Sequence, residues 1–183
     1  IRHAAFSVAS LISTTGFATA DFNLWPNFSK MLLFLLMFIG GCAGSTAGGF
    51  KVSRILLLTK TIKRELKKMI HPRAVSVVRL DGKRLEETTV TSLHSYFAVY
   101  IALFAMVVLL LGLDAFDLET NVTVAASCLN NIGPGLGAAG PAESYALFSP
   151  FSKIMLSFTM LFGRLEIFPI LLIFTPFLWK KKS

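Results

Sequence analysis

Ala9-Ser10-Leu11-Ile12-Ser13-Thr14-Thr15-Gly16 recurs, at a spacing of 117, as Ala126-Ser127-Cys128-Leu129-Asn130-Asn131-Ile132-Gly133. Each stretch closes a short apolar run of about ten residues, half of what a helix needs to cross a bilayer. A run of that length followed by a polar, glycine-containing turn fits a re-entrant helix. Irregular backbone at membrane depth is tolerated where it is buried in protein or lines a watery path. Two interfacial helices lying on the membrane surface are the competing reading, and they do not call for matched Ser/Thr/Asn-x-Gly endings.

The repeat continues outward from these turns. Phe28-Ser29-Lys30 matches Phe151-Ser152-Lys153 at a spacing of 123, which also pairs Met37 with Met160 and Gly40 with Gly163. The intervening loop is thus six residues longer in the second copy. That copy is complete: Leu93 to Leu113 is long and apolar enough to span, Val122 to Leu129 re-enters, and Phe151 to Trp179 spans again with one interruption. The first copy lacks a leading helix, which the repeat places upstream of Ile1. The first residue is not Met, and the chain reads as a piece of a longer polypeptide.

Composition agrees with a lipid environment. Hydrophobic residues make up 54% of the 183, above the roughly 45–50% usual in soluble domains. The net charge of +8 is unevenly placed: eleven of the 18 Lys and Arg lie between Lys51 and Arg84, and Lys180, Lys181 and Lys182 close the chain. By the positive-inside rule both stretches are cytoplasmic, so the charge marks topology rather than a nucleic-acid partner. Asp21, Asp114, Asp117, Glu119 and Glu143 gather in the other connections, where they signal topology or attract cations to the outer face. Cys42 and Cys128 lack metal-ligand spacing.

Thr14-Thr15-Gly16-Phe17 and Asn131-Ile132-Gly133-Pro134 are the candidate ion-binding strips. A dehydrating potassium ion needs several oxygens around an axis, and backbone carbonyls supply them without a fixed charge. The ion contacts are expected at Thr14, Thr15, Asn131 and Ile132. Gly16 and Gly133 permit the backbone angles that turn successive carbonyls one way, and each short helix points its partly negative C-terminus at the cation.

Gly40, Gly41, Gly44, Gly48 and Gly49, with Ser45 and Thr46 among them, follow Met31 to Ile39 and precede a helical pattern from Phe50 to Met69. Each glycine weakens a helix by about 1 kcal/mol relative to Ala, so a break is expected. The spacing of Gly40, Gly44 and Gly48 also fits a continuous helix with a small-residue face, whereas a phosphate loop would need Lys-Ser or Lys-Thr after the last glycine. The matching stretch of the second copy, Gly163-Arg164-Leu165-Glu166, keeps good helix formers.

Arg164 lies 13 residues beyond Phe151, about 20 Å into the span at about 1.5 Å per residue. A charge at that depth costs about 2.5 kcal/mol or more and faces a cavity or a partner. It serves either helix assembly or, as a pore-facing cation, weakens ion binding below the strips. Pro169 is expected to kink the helix beyond it. In the basic connection, Ala74 to Leu80 and Arg84 to Val90 read as β-rich segments around Asp81-Gly82, a hairpin signal. The hairpin suits a cytosolic partner or lipid head groups equally.

Taken in order, Ser13 to Phe17, Gly40 to Lys51, His71-Pro72-Arg73 with Leu80-Asp81-Gly82, Asn131 to Pro134 and Gly163 to Glu166 resemble the Trk/Ktr/HKT superfamily of potassium transporters over essentially the whole chain. The resemblance implies an all-α membrane protein with four helix, pore loop, helix repeats around one potassium-channel-like pore, plus a short cytoplasmic β-hairpin. Residues 1–50 would hold the third-repeat pore helix, filter and first part of the broken inner helix, 51–91 the cytoplasmic helix extension and hairpin, and 92–183 the fourth repeat. It further implies potassium uptake across the cell inner membrane, an intramembrane gating loop over Gly40 to Gly49, and a pore charge at Arg164. The implied partners are the rest of the same polypeptide, membrane lipid, a second copy in a homodimer, and a cytosolic nucleotide-binding regulatory subunit of the TrkA/KtrA type. Potassium is the substrate and no covalent cofactor is implied. Channel-like passage and proton- or sodium-coupled symport both fit these residues. A membrane enzyme would need convergent catalytic groups, yet His3, His71 and His94 fall in separate regions. A purely structural or assembly subunit explains the spans but not two matching re-entrant segments.

Overall fold

A computed structural model describes residues 1–42, 44–45, 47–71, 79–80, 83–84, 86–165 and 167–169. Thr46 of the glycine cluster, Pro72-Arg73, Asp81-Gly82, Glu166 and the end of the last span with Lys180, Lys181 and Lys182 lie outside the described residues. The described chain is mainly helical, with a single pair of strands.

Helix α1 (Arg2–Ile12) ends in the turn at Ser13 to Gly16, and a short loop with one 3-10 turn, Phe22–Leu24, leads to α2 (Asn27–Met37). The second copy has the same order: α5 (Leu118–Leu129), the turn at Asn130 to Gly133, a 3-10 turn at Tyr145–Leu147, and α6 (Pro150–Arg164). The extra residues of its loop include another 3-10 turn, Gly137–Ala139. Sequence chemistry fixes the start of α6, because Ser149 accepts a hydrogen bond from the Ser152 amide and Pro150 occupies the first turn, where its missing N–H is no loss.

Between the copies, α3 (Val52–Ile70) carries the basic face and stops at His71. Strands β1 (Arg79–Leu80) and β2 (Lys83–Arg84) pair antiparallel, with Arg79 opposite Arg84 and Leu80 opposite Lys83. The expected β-rich segment through Val90 is shorter than that: α4 (Glu87–Leu111) takes over at Glu87. Its entry is anchored to α3 by the Arg64–Glu87 ion pair at 2.6 Å, and β1 is tied to α3 where Lys60 Nζ donates to the Arg79 carbonyl at 2.8 Å. At 25 residues, α4 is long and apolar enough to cross a membrane.

The core gathers around α5, where every residue from Thr123 to Asn130 is buried. Val107 and Leu111 of α4, together with Phe148 and Leu156, pack on its one side. Leu11, Leu33 and Met37 of the first copy meet Ala126 on the other. Both second helices are interrupted, that of the second copy in keeping with the one interruption expected between Phe151 and Trp179 and the kink expected from Pro169. In α6 the last turn ends at Leu165, and a helical turn returns at Ile167 to Pro169. Pro169 offers no N–H and crowds the carbonyl four residues back, that of Leu165.

Candidate functional site

The two turns share one backbone design. Thr15 N–H reaches the Ser10 carbonyl and Ile132 N–H the Ser127 carbonyl, both at 2.9 Å. Ser13 to Ala9 and Asn130 to Ala126 are likewise matched at 3.0 Å. Thr14 and Asn131 hold left-handed φ values of 54° and 56°, and Gly16 and Gly133 follow at 78° and 113°. A left-handed β-branched residue such as Thr14 is uncommon and persists where its surroundings impose it.

The two strips meet. A Cβ on Gly16 would run into the Ile132 carbonyl oxygen and come within 3.2 Å of Pro134 Cδ. Two carbonyls are already engaged from behind: Ser10 Oγ donates to Phe17 O, and the Tyr145 hydroxyl to Gly133 O, both at 2.6 Å. Asn130 is fully buried, donating to Ala126 O at 2.8 Å and accepting from the Tyr100 hydroxyl at 2.7 Å. Asn131 Nδ2 donates to Met160 O of α6 at 3.0 Å. Outside the strips, the Asn23 side chain clasps the backbone of one residue across the copies, donating to Gly137 O at 2.9 Å and accepting from Gly137 N at 3.0 Å.

The glycine cluster is a closed loop rather than a continuous helix. Its neck is tied where Gly40 N–H meets Phe50 O at 2.8 Å and Phe50 N–H meets Phe38 O at 3.0 Å. Val52 N–H adds a bond to Gly41 O at 3.2 Å, and Gly44 and Gly49 adopt φ of 87° and 73°. The loop sits against the feet of both strips. Gly48 N–H lies 3.4 Å from Thr14 Oγ1, a Cβ on Gly48 would strike the Asn130 carbonyl, and one on Gly49 would lie 3.1 Å from Asn130 Oδ1. Gly163 of α6 approaches the same end of α5, so that a Cβ there would strike the Leu129 carbonyl.

Arg164 follows Gly163 and lines a cavity of about 200 Å³ together with Ser45, Gly49, Lys51, Arg54 and Tyr96. The Arg54 guanidinium lies 4.2 Å from the centre of the Tyr96 ring, a cation–π arrangement that ties α3 to α4. The structure therefore brings both strips, the described part of the glycine loop and Arg164 into one region. Sequence reasoning missed Tyr100, Tyr145 and Asn23. The spacing of 123 that sets Tyr145 opposite Phe22 was the available signal for the second of them.

Comparison with known proteins bears on this region as a whole. The family model described as "TrkH: Cation transport protein" matches residues 1–181. The Trk system potassium uptake protein TrkH of Salmonella typhimurium is 42% identical over 99% of this chain and 37% of its own length. TrkG of Escherichia coli K12, another Trk system potassium uptake protein, is 35% identical over 97% of this chain and 36% of its own. The crystal structure of the potassium transporter TrkH from Vibrio parahaemolyticus superposes with a TM-score of 0.88 at 42% identity, covering 97% of this chain and 38% of that one. The chain thus spans little more than a third of the length of the relatives it matches.

Proposed function

The chain belongs to the TrkH family of cation transport proteins, and we propose that it supplies two of the four carbonyl strips of a potassium uptake pore. The observation that carries this reading is the pair of turns with one hydrogen-bond pattern and one order of left-handed residues, set side by side beneath two short helices. Carbonyls presented this way replace the hydration shell of a cation without trapping it. Potassium would bind at Thr14, Thr15, Asn131 and Ile132. Gly16, Phe17, Gly133 and Pro134 complete the strips.

In the same reading, residues 1–50 hold the third-repeat pore elements, 51–91 the cytoplasmic connection and 92–183 the fourth repeat. The loop of Gly40, Gly41, Gly44, Ser45, Thr46, Gly48 and Gly49 blocks the path beneath the strips and moves aside to open it, while Arg164 keeps ions from settling below. The protein acts as a transporter rather than an enzyme, sits in the cell inner membrane with residues 51–91 and the C-terminus cytoplasmic, and works as a homodimer under a cytosolic nucleotide-binding subunit. The test is rescue of a potassium-uptake-deficient cell by the full-length protein that carries this chain. Growth at low external potassium is expected. Expression in the membrane without rescue would contradict the reading.

A further inference from the structure

The spacing of 123 that relates α2 to α6 extends back through the outer loop. Phe22–Leu24 and Tyr145–Leu147 are matching 3-10 turns, capped alike by Asp21 and Ser144, whose side chains accept from the backbone two residues on. Phe22 and Tyr145 therefore hold the same place in the two copies. Each packs on the aromatic ring three residues later: Phe22 on Trp25 with centroids 6.4 Å apart, Tyr145 on Phe148 at 5.5 Å.

The difference between them is one hydroxyl. In Tyr145 it donates to the Gly133 carbonyl at 2.6 Å, with Cys128 Sγ 3.8 Å away. Phe22 has nothing to donate. Within this chain nothing lies within 4 Å of where a Cβ on Gly133 would be, and its φ is 113°. A glycine peptide with open space beside it rotates readily. It is tied on one side by Gly133 N–H donating to Ser127 Oγ at 3.1 Å and on the other by Tyr145.

We propose that Tyr145 is a positioning residue for ion selectivity, its hydroxyl fixing the Gly133 carbonyl so that the second strip is held by a strut absent from the first. This rests on the reading of the strips as an ion filter. The strut makes the two strips unequal: the second is held at its glycine carbonyl by a tyrosine of the following loop, whereas the first is held one carbonyl further on, where Ser10 Oγ donates to Phe17 O.

The experiment uses the full-length protein in liposomes, with potassium and sodium fluxes measured for the wild type, Tyr145→Phe and Phe148→Leu. Tyr145→Phe is expected to fold and conduct while its potassium-to-sodium ratio falls about fivefold, the scale of one hydrogen bond. Phe148→Leu loosens the same aromatic pair but leaves the hydroxyl, and its ratio should stay at the wild-type value. An unchanged ratio in Tyr145→Phe, or an equal fall in Phe148→Leu, would overturn the proposal. Failure of Tyr145→Phe to fold would also overturn it, since Phe22 occupies the matching place. A wild type without preference for potassium would instead overturn the filter reading on which the proposal stands.

Discussion

Thr14 and Asn131 hold the same left-handed backbone, with φ of 54° and 56°, at matching places in the two copies. Neither is glycine, so the conformation is imposed by the turn that each helix end makes rather than by chain freedom. The glycine two residues on continues the turn in each copy, but the two glycines are differently surrounded. A Cβ on Gly16 meets the Ile132 carbonyl, whereas one on Gly133 meets open space.

Gly16→Ala is therefore expected to harm selectivity more than Gly133→Ala. Both substitutions place a side chain at positive φ, and Gly16→Ala additionally pushes the strips apart. The potassium-to-sodium flux ratio of the full-length protein in liposomes should fall in both variants and fall further in Gly16→Ala. The reverse order would separate backbone strain from crowding and count against the close approach of the strips.

Tyr100→Phe should destabilise the protein. It removes the hydroxyl that donates to Asn130 Oδ1 at 2.7 Å and leaves a fully buried acceptor without that donor. The loss is expected at about 1–3 kcal/mol, read as a lowered unfolding midpoint of the purified protein in detergent. Tyr100→Phe together with Asn130→Leu should lose less than the two single changes combined.

Gly163→Ala should lower the same midpoint by a different route. Its methyl group would collide with the Leu129 carbonyl and press on Asn131 Nδ2 at 2.7 Å. Overpacking of this kind costs about 1–3 kcal/mol. Backbone rather than a flexible side chain is in the way, so α6 must shift away from α5.

The ion pair of Lys30 with Glu119 at 2.9 Å joins the two copies between the first turns of α2 and α5, with the Glu119 side chain 45% exposed. Solvent at that carboxylate should hold the coupling energy of a Lys30→Met, Glu119→Gln double-mutant cycle below about 1 kcal/mol. A larger coupling would show that the pair is shielded in the full-length protein.

The repeat was legible in the sequence because its turns demand particular residues: Gly16 and Gly133 allow positive φ, and polar Ser13 and Asn130 end each helix. The glycine cluster was legible as a break for a similar reason, though its closed neck at Phe38, Gly40 and Phe50 depends on backbone bonds that leave no mark on residue type. The break at Leu165 was legible through Pro169, four residues on, which removes an N–H and crowds the Leu165 carbonyl, while the helix formers around it gave no sign of where the last turn ends. The match of Phe22 with Tyr145 was hidden by unlike neighbours, since Asp21 and Ser144 cap the same turn with different chemistry. Contacts such as Tyr100 with Asn130 join helices far apart in the chain, and neither residue's own segment calls for the other.

The most direct test of the ion-filter account is potassium uptake, against sodium, into liposomes holding the purified full-length protein that carries this chain. The account predicts potassium flux in clear preference to sodium, with the preference reduced by Gly16→Ala. Absence of potassium flux from folded, membrane-inserted protein, or equal passage of the two ions, would contradict it.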